Sequence, residues 1–237
     1  MAEAAGGDER RLEEMLERRS AGEPLQYVLG SWSFRGLELV VDRRVLIPRP
    51  ETEQVVEVAL AELDRMPGSP KTVVDLGTGS GAIAICMATE RTGTEVWATD
   101  VSSEALEVAR ANAEGKDVRF RHGDWWSALP EEMQGEIDLV VSNPPYVSST
   151  EMAGLDREVR DWEPTVALEA GQRGTEAIEA ILLGATRWLR TGGALVVELA
   201  PHQGEAMARR ATAESLVGVK VEKDLAGRDR ILVAQKS

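Results

Sequence analysis

The sequence is poor in cysteine, histidine and basic residues, and each shortage excludes a class of protein. Its one cysteine, Cys86, has no partner for an intrachain disulfide or a cysteine metal cluster, and we expect it to be buried in a helix. The two histidines, His122 and His202, lack metal-ligand partners at useful spacing, so no metal site is predicted. Lysine and arginine number 27 against 41 aspartates and glutamates, and the net charge of -14 argues against direct binding to nucleic acid.

Long hydrophobic runs are also missing. No apolar stretch approaches the ~20 residues that a membrane-spanning helix requires. The N-terminal sequence MAEAAGGDERRLEEM contains no apolar core of a secretory signal. We therefore expect a cytoplasmic protein, and its 237 residues suffice for one large domain with a small appendage.

From residue 71 onward, valine-rich strand patterns alternate with helical patterns. The predicted strands are 71–76, 95–100, 117–122, 137–142, 193–200, 217–224 and 230–235. The predicted helices are 81–91, 103–113, 174–190 and 203–214. Strands joined by helices imply a parallel sheet covered on both faces, whereas the short LAGRD link before the last strand predicts a hairpin and one antiparallel edge strand. The predicted fold class is α/β, a doubly wound, seven-stranded, Rossmann-like sheet.

The region before this sheet has a different pattern. Residues 9–20 place apolar side chains on one helical stripe, and residues 26–42 are predicted to form two or three short strands separated by Gly30 and Gly36. A further helix is predicted to begin at Pro50, because proline is favoured in the first helical turn.

A glycine turn, DLGTGSG, joins the first predicted strand to the first helix. Glycines allow the backbone to approach a ligand closely, since they carry no Cβ atom. The turn lacks the Lys–Ser/Thr pair of a phosphate-binding P-loop, and its G-x-G-x-G spacing differs from the dinucleotide fingerprint. The candidate ligand-binding residues of the turn are Gly77, Thr78, Gly79, Ser80 and Gly81.

Acidic and aromatic residues follow the next two strands. Asp100 is placed to accept the hydroxyls of a ribose, and the alternative is that it caps the helix after it. Asp124 and Trp125 are placed to hold an adenine ring, whereas Trp126 is expected to fill the core. These strand ends fit an adenosine without phosphates, and S-adenosylmethionine is such a ligand.

The fourth strand ends in Asn143-Pro144-Pro145-Tyr146. An amide nitrogen is a poor nucleophile, and two hydrogen-bond acceptors orient it and favour a more nucleophilic geometry. The Asn143 side-chain oxygen and the Pro144 carbonyl are the candidate acceptors. The two prolines stiffen the loop, and Tyr146 offers a face for a planar group. The alternative is a simple turn after a strand. Glu198, within the strand 193–200, is expected to pair locally rather than to serve the site.

The chain resembles the PrmC/HemK family of release factor glutamine methyltransferases from about residue 22 to its C-terminus. The resemblance is carried, in chain order, by GEPLQYVLG, LIPRPETE, DLGTGSGAIA, ATDVSSEAL, DWWSAL, VSNPPYV and EPTVALEAG. NPPY is shared with N6-adenine methyltransferases, whereas LIPRPETE together with EPTVALEAG is much more specific. The resemblance implies a class I methyltransferase sheet and a role in translation termination. The implied reaction is N5-methylation of the glutamine in the Gly-Gly-Gln motif of class 1 peptide chain release factors.

The resemblance also implies roles for individual residues. It assigns S-adenosylmethionine to the glycine turn, Asp100 and Trp125, and the glutamine side chain to residues 143–146, with Asn143 facing both ligands. Pro48-Arg49-Pro50 is expected to wall the substrate pocket, with Arg49 as its substrate-binding residue, and the alternative is that this segment only starts a helix. Two alternatives remain, namely glutamine methylation of ribosomal protein L3 and N6-adenine methylation of DNA or RNA. A non-catalytic binding module is a further class, and the intact NPPY argues against it.

Three parts are expected along the chain. Residues 1–22 are interpreted as a shortened helical N-terminal domain, residues 23–48 as a β-hairpin linker, and residues 49–237 as the methyltransferase domain. Family members usually carry a longer helical domain before GEPLQY, so either this chain starts late or it binds its substrate over a smaller contact area. We expect a monomer.

Overall fold

The computed structural model describes all residues of the chain, 1–237. Its N-terminal part contains α1 (Ala2–Ala5), α2 (Glu9–Ser20), α3 (Leu25–Leu29) and an antiparallel hairpin of β1 (Ser31–Phe34) and β2 (Leu37–Val40). The prediction of two or three strands in 26–42 is wrong for its first segment, which is α3. Pro24 supplies the extended residue before this helix, and Gly30 ends it at φ 80.

The remaining helices and strands build one layered α/β unit. The strands are β3 (Lys71–Leu76), β4 (Thr94–Asp100), β5 (Val118–His122), β6 (Ile137–Ser142), β7 (Leu189–Glu198), β8 (Leu216–Lys223) and β9 (Asp229–Lys236). The helices are α4 (Pro50–Arg65), α5 (Ala82–Glu90), α6 (Ser103–Asn112), α7 (Arg157–Trp162), α8 (Glu176–Trp188) and α9 (Gly204–Ala213). The predicted strands and crossover helices are therefore confirmed, with their ends shifted by a few residues.

The seven-stranded sheet has the order β5-β4-β3-β6-β7-β9-β8. All neighbouring strands are parallel except β9, which runs antiparallel to both β7 and β8. The doubly wound sheet and its antiparallel edge are confirmed. The chain leaves β3 towards β4 and later returns to the opposite side of β3 as β6. Ligands bind at such a reversal point, outside the carboxyl ends of the strands.

Apolar layers cover both faces of the sheet. Helices α4 and α5 bury Val55, Val56 and Ile85 on one face, and Cys86 lies in this layer with 1% of its surface exposed. Helices α8 and α9 cover the other face, where the Trp126 ring stacks on Trp188 at a centroid distance of 5.9 Å. This packing confirms the core role predicted for Trp126. None of the helices has the length and apolar character that a bilayer span requires.

Candidate active site

The glycine turn after β3 is held against the end of β4. The N–H groups of Gly77 and Thr78 donate to the Thr99 carbonyl at 2.9 and 2.8 Å. Gly77 and Gly79 have φ values of +74 and +55, a left-handed conformation that favours glycine. The sequence therefore adopts a sharp turn whose backbone lines a pocket.

Gly81 has a different role from the two preceding glycines. It precedes α5 with φ +85 and lies outside the pocket lining. A Cβ atom at Gly81 would lie 3.1 Å from Ile85 Cδ1 and 3.3 Å from Ala109 Cβ. Glycine is therefore needed here for the close packing of α5 on α6, and its predicted contact with a cofactor stays a prediction.

The buried side chain of Asp75 stabilises the glycine turn. Its Oδ2 atom accepts hydrogen bonds from the Thr78 hydroxyl at 2.6 Å and from the Ala84 N–H at 3.2 Å. Its buried Oδ1 atom has no hydrogen-bond partner in the protein. Burial raises the pKa of Asp75 to about 7, although these two donors oppose the shift.

Asp100 ends β4 and joins the turn to the start of α6. Its Oδ2 accepts from the Gly79 N–H at 2.9 Å, and its Oδ1 accepts from the Ser102 N–H at 2.8 Å. The N-cap of α6 is Ser102, whose hydroxyl oxygen accepts from the Ala105 N–H at 3.1 Å, so the alternative of Asp100 as the cap is wrong. Burial raises the pKa of Asp100. Each carboxylate oxygen keeps a free lone pair for a further donor.

Residues 123–128 form the next side of the pocket. Trp125 lies in a short 3-10 helix with φ 43, and its ring packs over the glycine turn, 3.4 Å from the position of a Cβ atom on Gly77. Asp124 is exposed at the pocket rim. His122 is exposed as well, and its Nε2 atom lies 2.9 Å from the Val101 carbonyl oxygen.

The loop after β6 carries Asn143, and this side chain is held in one orientation. Its Nδ2 group donates to the Thr52 hydroxyl oxygen at 3.1 Å. The Thr52 hydroxyl donates in turn to Glu198 Oε2 at 2.8 Å. Asn143 lines the pocket, and its Oδ1 atom receives no hydrogen bond from the protein. The amide therefore offers an acceptor at the pocket.

Buried contacts fix residues 144–146, the rest of the loop. Pro144 is buried and Pro145 lines the pocket. The Tyr146 hydroxyl lies 3.4 Å from Glu198 Oε1, and the Tyr146 carbonyl accepts a hydrogen bond from Gln203 Nε2 at 3.0 Å. Burial, followed by the charge of Glu198, raises the pKa of Tyr146, so its hydroxyl stays protonated.

Three residues of this region were not predicted from the sequence to belong to the site, namely Thr52, Glu198 and Gln203. Glu198 was expected to pair locally, but it is 1% exposed and contacts side chains from α4 and from the loop after β6. Burial raises the pKa of Glu198 to about 7. A carboxylate within a run of buried valines is the one sequence signal for this role, because burying an acid is costly unless it is hydrogen-bonded.

Two sequence motifs meet beside the pocket. The Arg49 guanidinium pairs with Glu163, and the Ile47 N–H donates to the second oxygen of the same carboxylate at 3.2 Å. Burial raises the pKa of Glu163, against the opposing charge of Arg49. The ion pair thus connects LIPRPETE to EPTVALEAG. Arg49 lies outside the pocket lining, so its predicted contact with a substrate stays a prediction.

The pocket encloses about 900 Å³ of empty space, including its open mouth. It brings together most of the predicted residues, namely Gly77, Thr78, Gly79, Ser80, Asp100, Asp124, Trp125, Asn143 and Pro145. Four predicted residues are not part of this lining, namely Arg49, Gly81, Pro144 and Tyr146. Val101 and Val166, from opposite parts of the chain, form further walls and are about half exposed.

Family models match two parts of the chain. The Methyltransferase small domain matches residues 55–156, which contain both the glycine turn and the NPPY loop. The PrmC N-terminal domain matches residues 3–30, which contain α2 and α3. The fold and the first of these matches define the class of this protein as an α/β methyltransferase.

Individual relatives narrow the class to a family. A release factor glutamine methyltransferase of Cereibacter sphaeroides is 44% identical over 229 residues, which are 95% of this chain and 79% of that protein. A second, of Nitratidesulfovibrio vulgaris, is 43% identical and is matched over 94% of this chain and 76% of its own length. The chain belongs to the family of release factor glutamine methyltransferases.

Solved structures at lower identity share the fold. A methyltransferase from Pyrococcus furiosus has a TM-score of 0.61 and 20% identity, with 96% of this chain and 98% of that chain covered. The hMettl16 catalytic domain in complex with a MAT2A 3'UTR hairpin has a TM-score of 0.65 and 18% identity, with 85% and 75% covered. These structures support the α/β sheet alone.

Asp75 generates a prediction about stability and pH. Its pKa of about 7 in the folded chain exceeds the ordinary 3.8, so the folded state holds a proton that the unfolded state has lost. The Asp75 contribution to the free energy of unfolding therefore falls as the pH rises between these values. Asp75→Asn removes this contribution. Between about pH 5 and pH 7, the free energy of unfolding of the wild type should therefore fall by about 2–3 kcal/mol more than that of Asp75→Asn.

Urea unfolding at several pH values measures this difference. Glu114→Gln is the matched control, because Glu114 is an exposed acid whose side chain makes no hydrogen bond or ion pair. Its pH dependence should run parallel to that of the wild type. Parallel curves for Asp75→Asn and the wild type would contradict a buried, proton-binding Asp75.

Proposed function

We propose that the protein transfers a methyl group from S-adenosylmethionine to the side-chain amide nitrogen (N5) of the glutamine in the Gly-Gly-Gln motif of a class 1 peptide chain release factor. The single observation that carries the proposal is the orientation of Asn143. Its amide is anchored through Nδ2 to Thr52, so that Oδ1 is free at the pocket beside the glycine turn. The names and identities of the relatives support the choice of substrate.

The pocket residues fit an adenosine ligand that lacks phosphates. Asp100 keeps free lone pairs on both oxygens for ribose hydroxyls, and the Trp125 ring supplies a flat apolar surface. No lysine or arginine follows the turn to neutralise a phosphate. Residues Gly77, Thr78, Gly79 and Ser80 would face the amino-acid end of the ligand. When bound, S-adenosylmethionine supplies an electrophilic methyl group on its sulfonium.

The NPPY loop would prepare the nucleophile. Asn143 Oδ1 and the Pro144 carbonyl oxygen accept hydrogen bonds from the two N–H groups of the glutamine amide. These hydrogen bonds orient the amide nitrogen towards the methyl group. Tyr146 and Pro145 confine the planar amide, and Arg49 with Glu163 secures the neighbouring wall. Most of the rate enhancement would come from proximity and orientation. The nitrogen becomes acidic as it forms the new bond, so it releases its proton to water and no strong base is needed.

Other features of the proposal follow from the substrate. A release factor acts during translation, so we place the enzyme in the cytoplasm, and we propose that it acts as a monomer. We also propose that residues 1–22 and 23–48 form parts distinct from a methyltransferase domain of residues 49–237. Glutamine methylation of ribosomal protein L3 uses the same chemistry and is the second candidate. Methylation of adenine in nucleic acid is disfavoured by the net charge of -14.

A methyl-transfer assay tests the proposal. The enzyme is incubated with S-adenosylmethionine labelled in the methyl group and with one of four acceptors. These are a class 1 release factor, the same factor with Gln→Ala in its Gly-Gly-Gln motif, ribosomal protein L3, and adenine-containing DNA. We expect label in the intact release factor alone. Label in the Gln→Ala factor, or only in L3 or DNA, would refute the assigned substrate.

Two variants separate substrate orientation from cofactor binding. Asn143→Ala removes an acceptor at the reacting nitrogen, so kcat should fall by about 100-fold or more while affinity for S-adenosylmethionine changes less than about 3-fold. Asp100→Ala removes the proposed ribose acceptor, so affinity for S-adenosylmethionine should fall by about 10-fold or more. Steady-state kinetics and calorimetric titration measure the two effects. Near-normal turnover of Asn143→Ala would refute its role.

A further inference from the structure

Glu198 lies at the end of β7, directly behind the loop that holds Asn143. Its carboxyl group is almost fully buried and faces groups from three other elements. The Thr52 hydroxyl approaches from α4, and the Tyr146 hydroxyl approaches from the loop after β6. The charged groups that face it are Arg230 on β9 and Glu51 on α4. Glu198 therefore touches the proposed machinery without reaching the pocket.

The two hydrogen bonds of the Thr52 hydroxyl have opposite senses. A hydroxyl has a single proton to donate, and an ionised carboxylate can only accept. The Thr52 proton is therefore directed at Glu198, and a Thr52 lone pair is left facing Asn143. This lone pair can accept from the amide Nδ2 group but would repel the amide oxygen. The charge on Glu198 thus selects one of the two possible orientations of the Asn143 amide.

We propose that Thr52 and Glu198 are positioning residues that orient the Asn143 amide so that its oxygen, and not its NH₂ group, faces the methyl-accepting nitrogen. The inference deepens the proposed function and rests on it. A flipped amide would point N–H donors at the N–H bonds of the substrate. Two donors cannot form a hydrogen bond with each other, so this orientation would not hold the glutamine.

A protonated Glu198 permits the flipped orientation. Its O–H group can donate to the Thr52 oxygen, which frees the Thr52 proton to donate to Asn143 Oδ1. The Asn143 NH₂ group then faces the pocket. The hydrogen-bond chain is complete in both states, but only the state with an ionised Glu198 presents an acceptor. The gain or loss of one proton at the Glu198 carboxyl group therefore reverses the direction of the hydrogen bonds from Glu198 through Thr52 to Asn143.

This reversal has a defined pH range. Burial raises the pKa of Glu198 to about 7, while the Thr52 hydrogen bond and the charge of Arg230 oppose the shift, and Glu51 adds to it. Arg230 is itself shared with Asp224, whose carboxylate lies 3.7 Å from its guanidinium. As the pH falls below about 7, the fraction of enzyme with an ionised Glu198 decreases. The value of kcat/KM, which reports on the free enzyme, should decrease with it.

Substitutions at Thr52 test the orientation directly. Thr52→Val keeps the shape of the side chain but removes its hydroxyl, so kcat with the release factor should fall by about 10-fold. Affinity for S-adenosylmethionine should change less than about 3-fold. Thr52→Ser restores the hydroxyl and should recover most of the lost kcat. Equal losses in Thr52→Ser and Thr52→Val would overturn the proposal, because they would indicate a packing effect.

The pH profile tests Glu198. Glu198→Gln cannot change its charge, and its amide can offer Thr52 a donor as well as an acceptor. Its kcat/KM should stay below that of the wild type at about pH 8 and should lack the acidic decline below about pH 7. Glu62→Gln is the matched control, since Glu62 is another buried carboxylate, on α4, that pairs with Lys220. An acidic decline that persists in Glu198→Gln, or that disappears in Glu62→Gln, would overturn the proposal.

A measurement without substrate separates this inference from the proposed function. The NMR signal of the Asn143 side-chain NH₂ group can be identified by its absence in Asn143→Ala. We expect this signal to titrate with a midpoint near pH 7 in the wild type and to be independent of pH in Glu198→Gln. A signal that does not titrate in the wild type would overturn the inference even if the release factor is methylated. The expected titration without methylation of the release factor would instead refute the proposed substrate.

Discussion

The proposed active site depends on the orientation of one side-chain amide, that of Asn143. The Asn143 amide has nearly the same shape in its two orientations, but one offers an acceptor to the pocket and the other offers donors. Thr52 and Glu198 remove this degeneracy, since their hydrogen bonds assign Nδ2 to the protein and leave Oδ1 for a ligand. The packing of α4 on the sheet brings Thr52 to this place. The proposed function therefore depends on a tertiary contact between chain segments that are distant in sequence.

The same region collects the buried polar groups that a stable core would normally avoid. Asp75 and Glu198 are both nearly inaccessible, and burial raises the pKa of each to about 7. Asp75 supports the glycine turn, and Glu198 supports the NPPY loop. Both lie at the carboxyl ends of strands near the reversal point of the sheet. Strained or poorly solvated groups concentrate at functional sites, where they are retained because they orient other groups.

Local patterns in the sequence predict much of the fold and those site residues that directly follow a strand. The strands and crossover helices follow from runs such as VVDL and from the regular spacing between them. The glycine turn, Asp100 and Asn143 each directly follow a predicted strand, so the sheet topology alone predicts that they converge. The short helix at 25–29 was misassigned because its few apolar residues fit a strand equally well. Its identity depends on Pro24 and Gly30, which set its two ends.

The remaining features depend on contacts that no local pattern encodes. Thr52 and Glu198 are 146 positions apart, and their hydrogen bond exists only because α4 packs across the end of β7. The ion pair of Arg49 with Glu163 spans 114 positions in the same way. Gly81 belongs to the glycine turn by sequence, but its neighbours in space make it a packing residue. The pocket is therefore predictable from the sequence, whereas the groups that orient Asn143 are not.

A crystal structure of the enzyme with S-adenosylhomocysteine and a Gly-Gly-Gln peptide tests the central claim most directly. We expect the glutamine nitrogen to lie about 3 Å from both Asn143 Oδ1 and the Pro144 carbonyl oxygen, with its lone pair directed at the sulfur of the cofactor. A glutamine side chain bound out of reach of these two oxygens, or a cofactor bound away from the glycine turn, would contradict the account.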